Sequence, residues 1–178
     1  MPLELTARTR TGARFVELAE SLAAEIAPRA TGHDRDGTFP VESFERVKQT
    51  GYLAAPIPET LGGLGVAAVH DVLVAQSRLA RGDASLTLGI NMHFAYVLNV
   101  VRRWQVAVAA GDERRVGALG STLERIARDR TAFAAAITEP RQDLTRPSTT
   151  ATRHLSGERR HRAPSLRDLK SVEQPGRR

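Results

Sequence analysis

Leu53-Ala-Ala-Pro-Ile-Pro-Glu-Thr-Leu-Gly-Gly-Leu-Gly65 is the stretch on which the reading of the whole chain turns. Pro56 and Pro58 each lack a backbone donor, and Gly62, Gly63 and Gly65 favour turns, so neither a continuous helix nor a central strand fits. The stretch predicts an ordered loop, and the periodicity on both sides of it is helical.

On its N-terminal side a helix starts at Pro40, preorganised for a first turn, with Phe39 just outside. Phe44 and Val47 are its apolar positions, and Gly51 stands where a helix is capped. Further upstream, Phe15, Leu18, Leu22 and Ile26 recur at steps of three and four, which predicts a helix over 11–27. Pro28 and the polar run Thr31 to Gly37 are expected to end it.

On the C-terminal side a third helix is expected over 67–80, with Val69, Val72, Leu73, Gln76, Leu79 and Ala80 inward and Gly82 at its end. Asp83 or Ser85 then caps a fourth, whose apolar residues Leu86, Ile90, Met92, Phe94, Val97, Leu98 and Val101 occupy most of its circumference. A helix apolar nearly all round belongs at the centre of its domain. Asp112 is placed to cap a fifth, with Val116, Leu119, Leu123 and Ile126 inward and its charges on a solvated face.

At Thr131 the texture changes. Thr-Ala-Phe-Ala-Ala-Ala-Ile-Thr138 is a short apolar run closed by Glu139-Pro140 and predicts a buried strand, although alanine is a poor strand former and a short buried helix has the same pattern. Residues 141–153 read as loop. The stretch after Arg153 has five apolar residues and no aromatic, too little to order itself.

Composition narrows the function classes. The chain has 178 residues, enough for one core, and 41% of them are hydrophobic but only 4% aromatic, which favours helices built on Leu, Val, Ile and Ala. No cysteine is present, so disulfides, thiolate catalysis and cysteine-held zinc are excluded, and no metal site is expected. No charged leader followed by an apolar run is seen, and a cytoplasmic protein without membrane insertion is the expectation. The net charge of +6 is unevenly spread: residues 1–153 hold 19 basic and 17 acidic residues, whereas residues 154–178 hold 7 and 3. The basicity belongs to the tail, where Arg159, Arg160, Arg162, Arg177 and Arg178 have no aromatic between them for stacking bases, so nucleic acid is not the expected partner.

Three stretches together resemble the acyl-CoA dehydrogenase family over roughly 15–153: Phe39-Pro40 with Gly51-Tyr52-Leu53, then Ile57-Pro58-Glu59-Thr60-Leu61-Gly62-Gly63-Leu64-Gly65, and Ala136-Ile137-Thr138-Glu139-Pro140. The last, at its distance from the Pro-Glu-x-x-Gly-Gly loop, is the most specific. The resemblance implies a mainly α fold: a helical N-terminal domain over 8–130, the start of an incomplete middle β-domain over 131–153, and a basic disordered tail over 154–178. It implies FAD, with Ile137 and Thr138 meeting the isoalloxazine ring, Ala135 close to it and Thr145 placed to add a hydroxyl. Arg141 stands where the family has glycine, which adds bulk at a close approach.

Leu88, Met92 and His93 lie on the helix that lines the acyl pocket in the family, and are the implied substrate contacts. Leu and Met at helical spacing are equally the mark of plain core, and a lone histidine is more often a hydrogen-bonded structural residue than a base. The implied activity is α,β-dehydrogenation of an acyl-CoA thioester with transfer to an electron acceptor, usually in a homo-oligomer. Its carboxylate base comes from a C-terminal bundle in the family, so no catalytic residue is named. The divergent stretch after Arg153 suggests a reading-frame slip, and a chain without the remaining domains is expected to be poorly soluble, inactive and free of flavin. A flavin monooxygenase or oxidase of the same fold is a second expectation, and a non-enzymatic helical adaptor with a nucleic-acid-binding tail a third.

Overall fold

A computed structural model describes residues 5–134 in full and the backbone of residues 151–153 and 159–161. The chain divides into two compact units, Met1–Ala135 and Ala136–Arg178. In the first, five α-helices follow one another: α1 (Arg10–Asp36), α2 (Val41–Gln49), α3 (Val69–Leu79), α4 (Ala84–Ala109) and α5 (Glu113–Asp129). Tyr52–Ala54 and Glu59–Leu61 form single 3-10 turns in the loop between α2 and α3. The fold is mainly helical, as expected. In the second unit β1 (Ala151–Arg153) pairs antiparallel with β2 (Arg159–His161), placing Ala151 opposite His161 and Arg153 opposite Arg159. β2 therefore lies within the stretch expected to be without structure; an antiparallel ladder needs only facing backbone donors and acceptors, not a core. Of the expected strand over 131–138, residues 131–134 carry no strand pairing and the remainder falls outside the described residues.

Thr9 caps α1, its hydroxyl oxygen accepting from the Gly12 amide at 2.9 Å. The helix does not end at Pro28, as the sequence predicts, but runs nine residues past Ala27 to Asp36. Pro28 and Ala24, whose carbonyl loses its i+4 donor, both lie on the exposed side of the helix, where an unpaired carbonyl costs less than it would in the core. α2 holds this part of α1 by its side chains: Arg46 donates to Glu25 just before the extension at 2.8 Å, and within it Arg29 donates to the buried Ser43 hydroxyl at 3.2 Å and His33 Nε2 lies 2.7 Å from Glu42. Gly37, at φ 60°, closes the helix with its amide directed to Asp34 and that of Thr38 to His33.

α3 is turned away from the expected phase. Val69 and Leu73, expected inward, are 52% and 59% exposed, whereas Asp71 is fully buried. The cause is a demand that hydrophobic periodicity does not register. Asp71 accepts from the Arg8 amide at 2.8 Å, the Thr9 amide at 3.1 Å and the Thr9 hydroxyl at 2.6 Å. Burial pushes this carboxyl up, but those donors outweigh it and hold it below its ordinary value. Arg78 continues the seam, donating to the Leu5 carbonyl at 2.7 Å and meeting Glu20 at 3.1 Å.

Asp83 caps α4 through the Leu86 amide at 2.8 Å, and Asp112 caps α5 through the Arg115 amide at 3.0 Å. α4 is long and apolar enough to cross a membrane by composition, but 44% of its most apolar window is buried among the other elements. Its first half, with Leu86, Ile90 and Phe94, joins a core of Phe15, Leu22, Ile26, Val47, Tyr52, Val72 and Leu79. Its second half, with Val97, Val100 and Val101, joins Ile57, Leu123 and Ile126. Residues 52–66 feed both clusters, so the helix expected at the centre is there.

Gly12 lies against the Asp71 carboxylate, in space that a Cβ would take from the carboxyl group itself. Gly12→Ala in a helix interior ordinarily stabilises by about 1 kcal/mol. Here the sign is expected to reverse, to a loss of about 1–3 kcal/mol, because overpacking displaces the carboxylate from its donors. Urea unfolding of the two chains measures this.

Candidate functional site: the open face of the central helix

Leu88, Met92 and Tyr96 recur at steps of four and make one stripe along α4. They are 73%, 37% and 39% exposed, on the solvent-facing side of a helix whose opposite side, with Leu86, Ile90, Phe94, Val97 and Val101, is buried; Asn91, Ala95, Asn99 and Arg102 share the exposed side. The chain leaving α5 brings Phe133 onto this stripe, where its ring stacks on Tyr96 with centroids 4.4 Å apart and planes at 22°. At the other end Phe39, 55% exposed, stands beside Gly89 and packs edge-on against Phe44 at 5.5 Å. The result is an apolar and aromatic band, of the kind that marks a ligand wall or an interface.

Behind the stripe His93 is 1% exposed. Its Nε2 lies 2.8 Å from the Leu53 carbonyl and its Nδ1 accepts from the Phe133 amide at 3.1 Å. A carbonyl accepts and an amide donates, so the proton sits on Nε2 and the imidazole is neutral. Burial pushes its pKa below the ordinary value, only partly offset by the bond to Leu53. With both nitrogens engaged by backbone, this ring has no free lone pair to offer a substrate.

Two clefts flank the band. One of about 510 Å³ lies between α4 and α5, lined by Asn99, Arg102, Arg103, Val106, Arg115 and Leu119 among others. The other, about 460 Å³, lies beside α3 and is lined by Val69, Ala95, Leu98, Asn99, Arg102 and Gln105 among others. Among the described residues no three His, Asp or Glu side chains converge to hold a metal.

Of the residues singled out from sequence, Leu88 and Met92 share the open stripe and His93 lies beneath it. Ala135, Ile137, Thr138 and Thr145 lie outside the described residues. Tyr96, Phe39 and Phe133 were not anticipated as part of a site. Tyr96 is legible as the next step of the Leu88–Met92 stripe; Phe133 has no sequence signal, since only tertiary structure brings it to α4.

Comparison with known proteins points to one family. Residues 14–105 match the family model described as acyl-CoA dehydrogenase, N-terminal domain. The amino sugar nitrososynthase DnmZ of Streptomyces peucetius is 37% identical over 98 residues, 55% of this chain and 24% of its own. The putative acyl-CoA dehydrogenase YdbM of Bacillus subtilis is 36% identical over 84 residues, 47% of this chain and 22% of its own. The solved structure of KijD3 in complex with FMN and dTDP-3-amino-2,3,6-trideoxy-4-keto-3-methyl-D-glucose superposes with a TM-score of 0.60 at 33% identity, over 68% of this chain and 29% of that one. The chain thus spans about a quarter of the length of the curated relatives it matches.

The depressed pKa of His93 sets a direction for stability. An unfolded histidine takes up its proton near 6.5, before the buried one does, so the contribution is fully present above that value and is lost as pH falls from there through the lower folded value. Thermal unfolding between pH 7.5 and 5 is expected to show a larger fall in Tm for the wild-type chain than for His93→Asn.

Proposed function

The chain belongs to the acyl-CoA dehydrogenase family through its N-terminal helical domain, and from that premise we propose that it supplies the substrate-facing helical wall of a flavin-dependent oxidoreductase. One observation carries this reading: Leu88, Met92 and Tyr96, completed by Phe133, make an apolar and aromatic stripe on the solvent-facing side of a helix whose opposite side is core. Such a face desolvates a ligand and orients it by stacking, while conferring no proton chemistry of its own.

A flavin bound beside this wall would supply two-electron oxidation. The described residues fit the packing part of that role only, because the stripe presents rings and aliphatic chains and its one nearby imidazole is already bonded on both sides. By the family resemblance, the polar contacts to the ring would fall to Ile137 and Thr138, with Ala135 close by and Thr145 adding a hydroxyl. Whether FAD or FMN occupies the site is part of the same proposal; the KijD3 structure holds FMN.

For the substrate, we favour an amino sugar carried on a nucleotide, oxidised at nitrogen. Similarity to DnmZ and to KijD3 supports this, as does the stacked pair of the exposed Tyr96 and the half-buried Phe133, a platform suited to the flat face of a sugar or base. The second reading is α,β-dehydrogenation of an acyl-CoA, for which Leu88 and Met92 would line the acyl chain. It is supported by the family match and the Bacillus relative.

Hybrid enzymes distinguish the two. Residues 5–134 replace the equivalent domain of DnmZ in one hybrid and of YdbM in another. The first is expected to consume oxygen with an aminodeoxysugar nucleotide, and Tyr96→Ala to raise its KM roughly tenfold, the loss of one aromatic contact of about 1.4 kcal/mol. Dehydrogenation by the second hybrid, with no activity in the first, would reverse the preference. Absence of bound flavin from both would remove the flavin reading itself.

A further inference from the structure

We propose that His93 is a positioning residue, whose task is to hold Phe133 on Tyr96 and so to build the aromatic end of the α4 wall. The inference deepens the function proposed above and rests on it for the meaning of that wall, but the contact itself stands on geometry alone.

Three parts of the chain, distant in sequence, meet at this imidazole: the α4 backbone that carries it, the buried loop through the Leu53 carbonyl, and the segment after α5 through the Phe133 amide. Both partners are 40 residues away. The ring also lies nearly parallel to that of Phe133, with centroids 6.2 Å apart and planes at 20°, and Phe133 in turn stacks on Tyr96 at 22°. His93, Phe133 and Tyr96 thus form one layered set.

The order of dependence follows from burial. His93 is fixed from below by Leu53, a residue 2% exposed, before it engages anything at the surface. Phe133 is only half-buried, and its segment belongs to no helix. Its amide bond to Nδ1 is the directional contact that selects one backbone position, whereas stacking alone permits sliding. A neutral Nε2–H tautomer is required for this: a proton on Nδ1 would set two donors against each other. The bond to Leu53 secures that tautomer, so the loop, the histidine and the aromatic face act in series.

Substitution separates this role from simple core packing. The Asn side-chain oxygen stands near the place of Nδ1 and can accept from Phe133. A Gln side-chain nitrogen stands near Nε2 and keeps the Leu53 bond without offering that acceptor. In the full 178-residue chain, amide exchange at Phe133 is expected to quicken roughly tenfold in His93→Gln and to stay within about threefold of wild type in His93→Asn. The ring-current shifts of Tyr96 should move in the first variant only. Equal exchange at Phe133 in wild type and His93→Gln would overturn the proposal, as would an Asn variant as fast as the Gln one. Nitrogen-15 spectra of the unsubstituted chain give a check that needs no variant to fold: an Nε2–H imidazole supports the latch and an Nδ1–H imidazole overturns it. None of these readouts involves flavin or substrate, so their failure removes the latch and leaves the flavin reading to the hybrid enzymes.

Discussion

A buried loop must satisfy its own backbone, and the five helices are arranged around one that does. Residues 52–66 contribute Tyr52, Leu53, Ala54, Ala55, Ile57 and Val66 to the core, all at or below 6% exposure. Their amides and carbonyls have no helical ladder, and leaving them unpaired in an apolar interior would cost more than the burial returns. The loop folds back on itself instead: Gly65 donates to Ile57 at 2.9 Å, Val66 to Ala55 at 2.8 Å, and Gly63 to Pro58 at 3.1 Å. Gly63 has to be glycine, since a Cβ there would meet the Ile57 and Ala54 carbonyls. Leu53 is provided for from outside the loop, by His93.

The α1–α3 pair is a second, independent constraint of the same kind. Its seam carries a carboxylate and a guanidinium at or below 6% exposure, each engaged by the chain entering α1, so this end of the domain is fixed by polar partners set in an apolar core. Such groups tolerate little displacement, because an unpaired buried charge is far more costly than a lost contact. With α1 and α3 locked on one side and the loop and α5 on the other, α4 is held along its length. The side that carries Leu88, Met92 and Tyr96, together with Asn91, Ala95, Asn99 and Arg102, is left open. The face proposed above to meet a ligand is therefore what the packing leaves over, and it is held in place by residues on the opposite side of the helix.

The family's fold hosts more than one oxidation, and the helical domain explains why it can. On the reading proposed above, a wall of Leu, Met and Tyr would contribute shape and desolvation without committing to one oxidation chemistry. The chain's similarity both to nitrososynthases and to acyl-CoA dehydrogenases is compatible with that proposal.

Sequence by itself determined the five helices, the capping role of Asp112, a cap for α4 at Asp83 or Ser85, the centrality of α4 and the irregular loop at 53–65, because each of these follows from local donors, local periodicity or the covalent limits of proline and glycine. Tertiary structure alone decided three things. It carried α1 through Pro28, since whether an orphaned carbonyl is tolerated depends on its facing water. It turned α3 so that Asp71 rather than Val69 and Leu73 went inward, since the amides that needed a partner lie more than 60 residues upstream. It also made His93 a bridge between backbones rather than a free base, and brought Phe133 to Tyr96, because a hydrogen bond across 40 residues leaves no trace in the spacing of the chain.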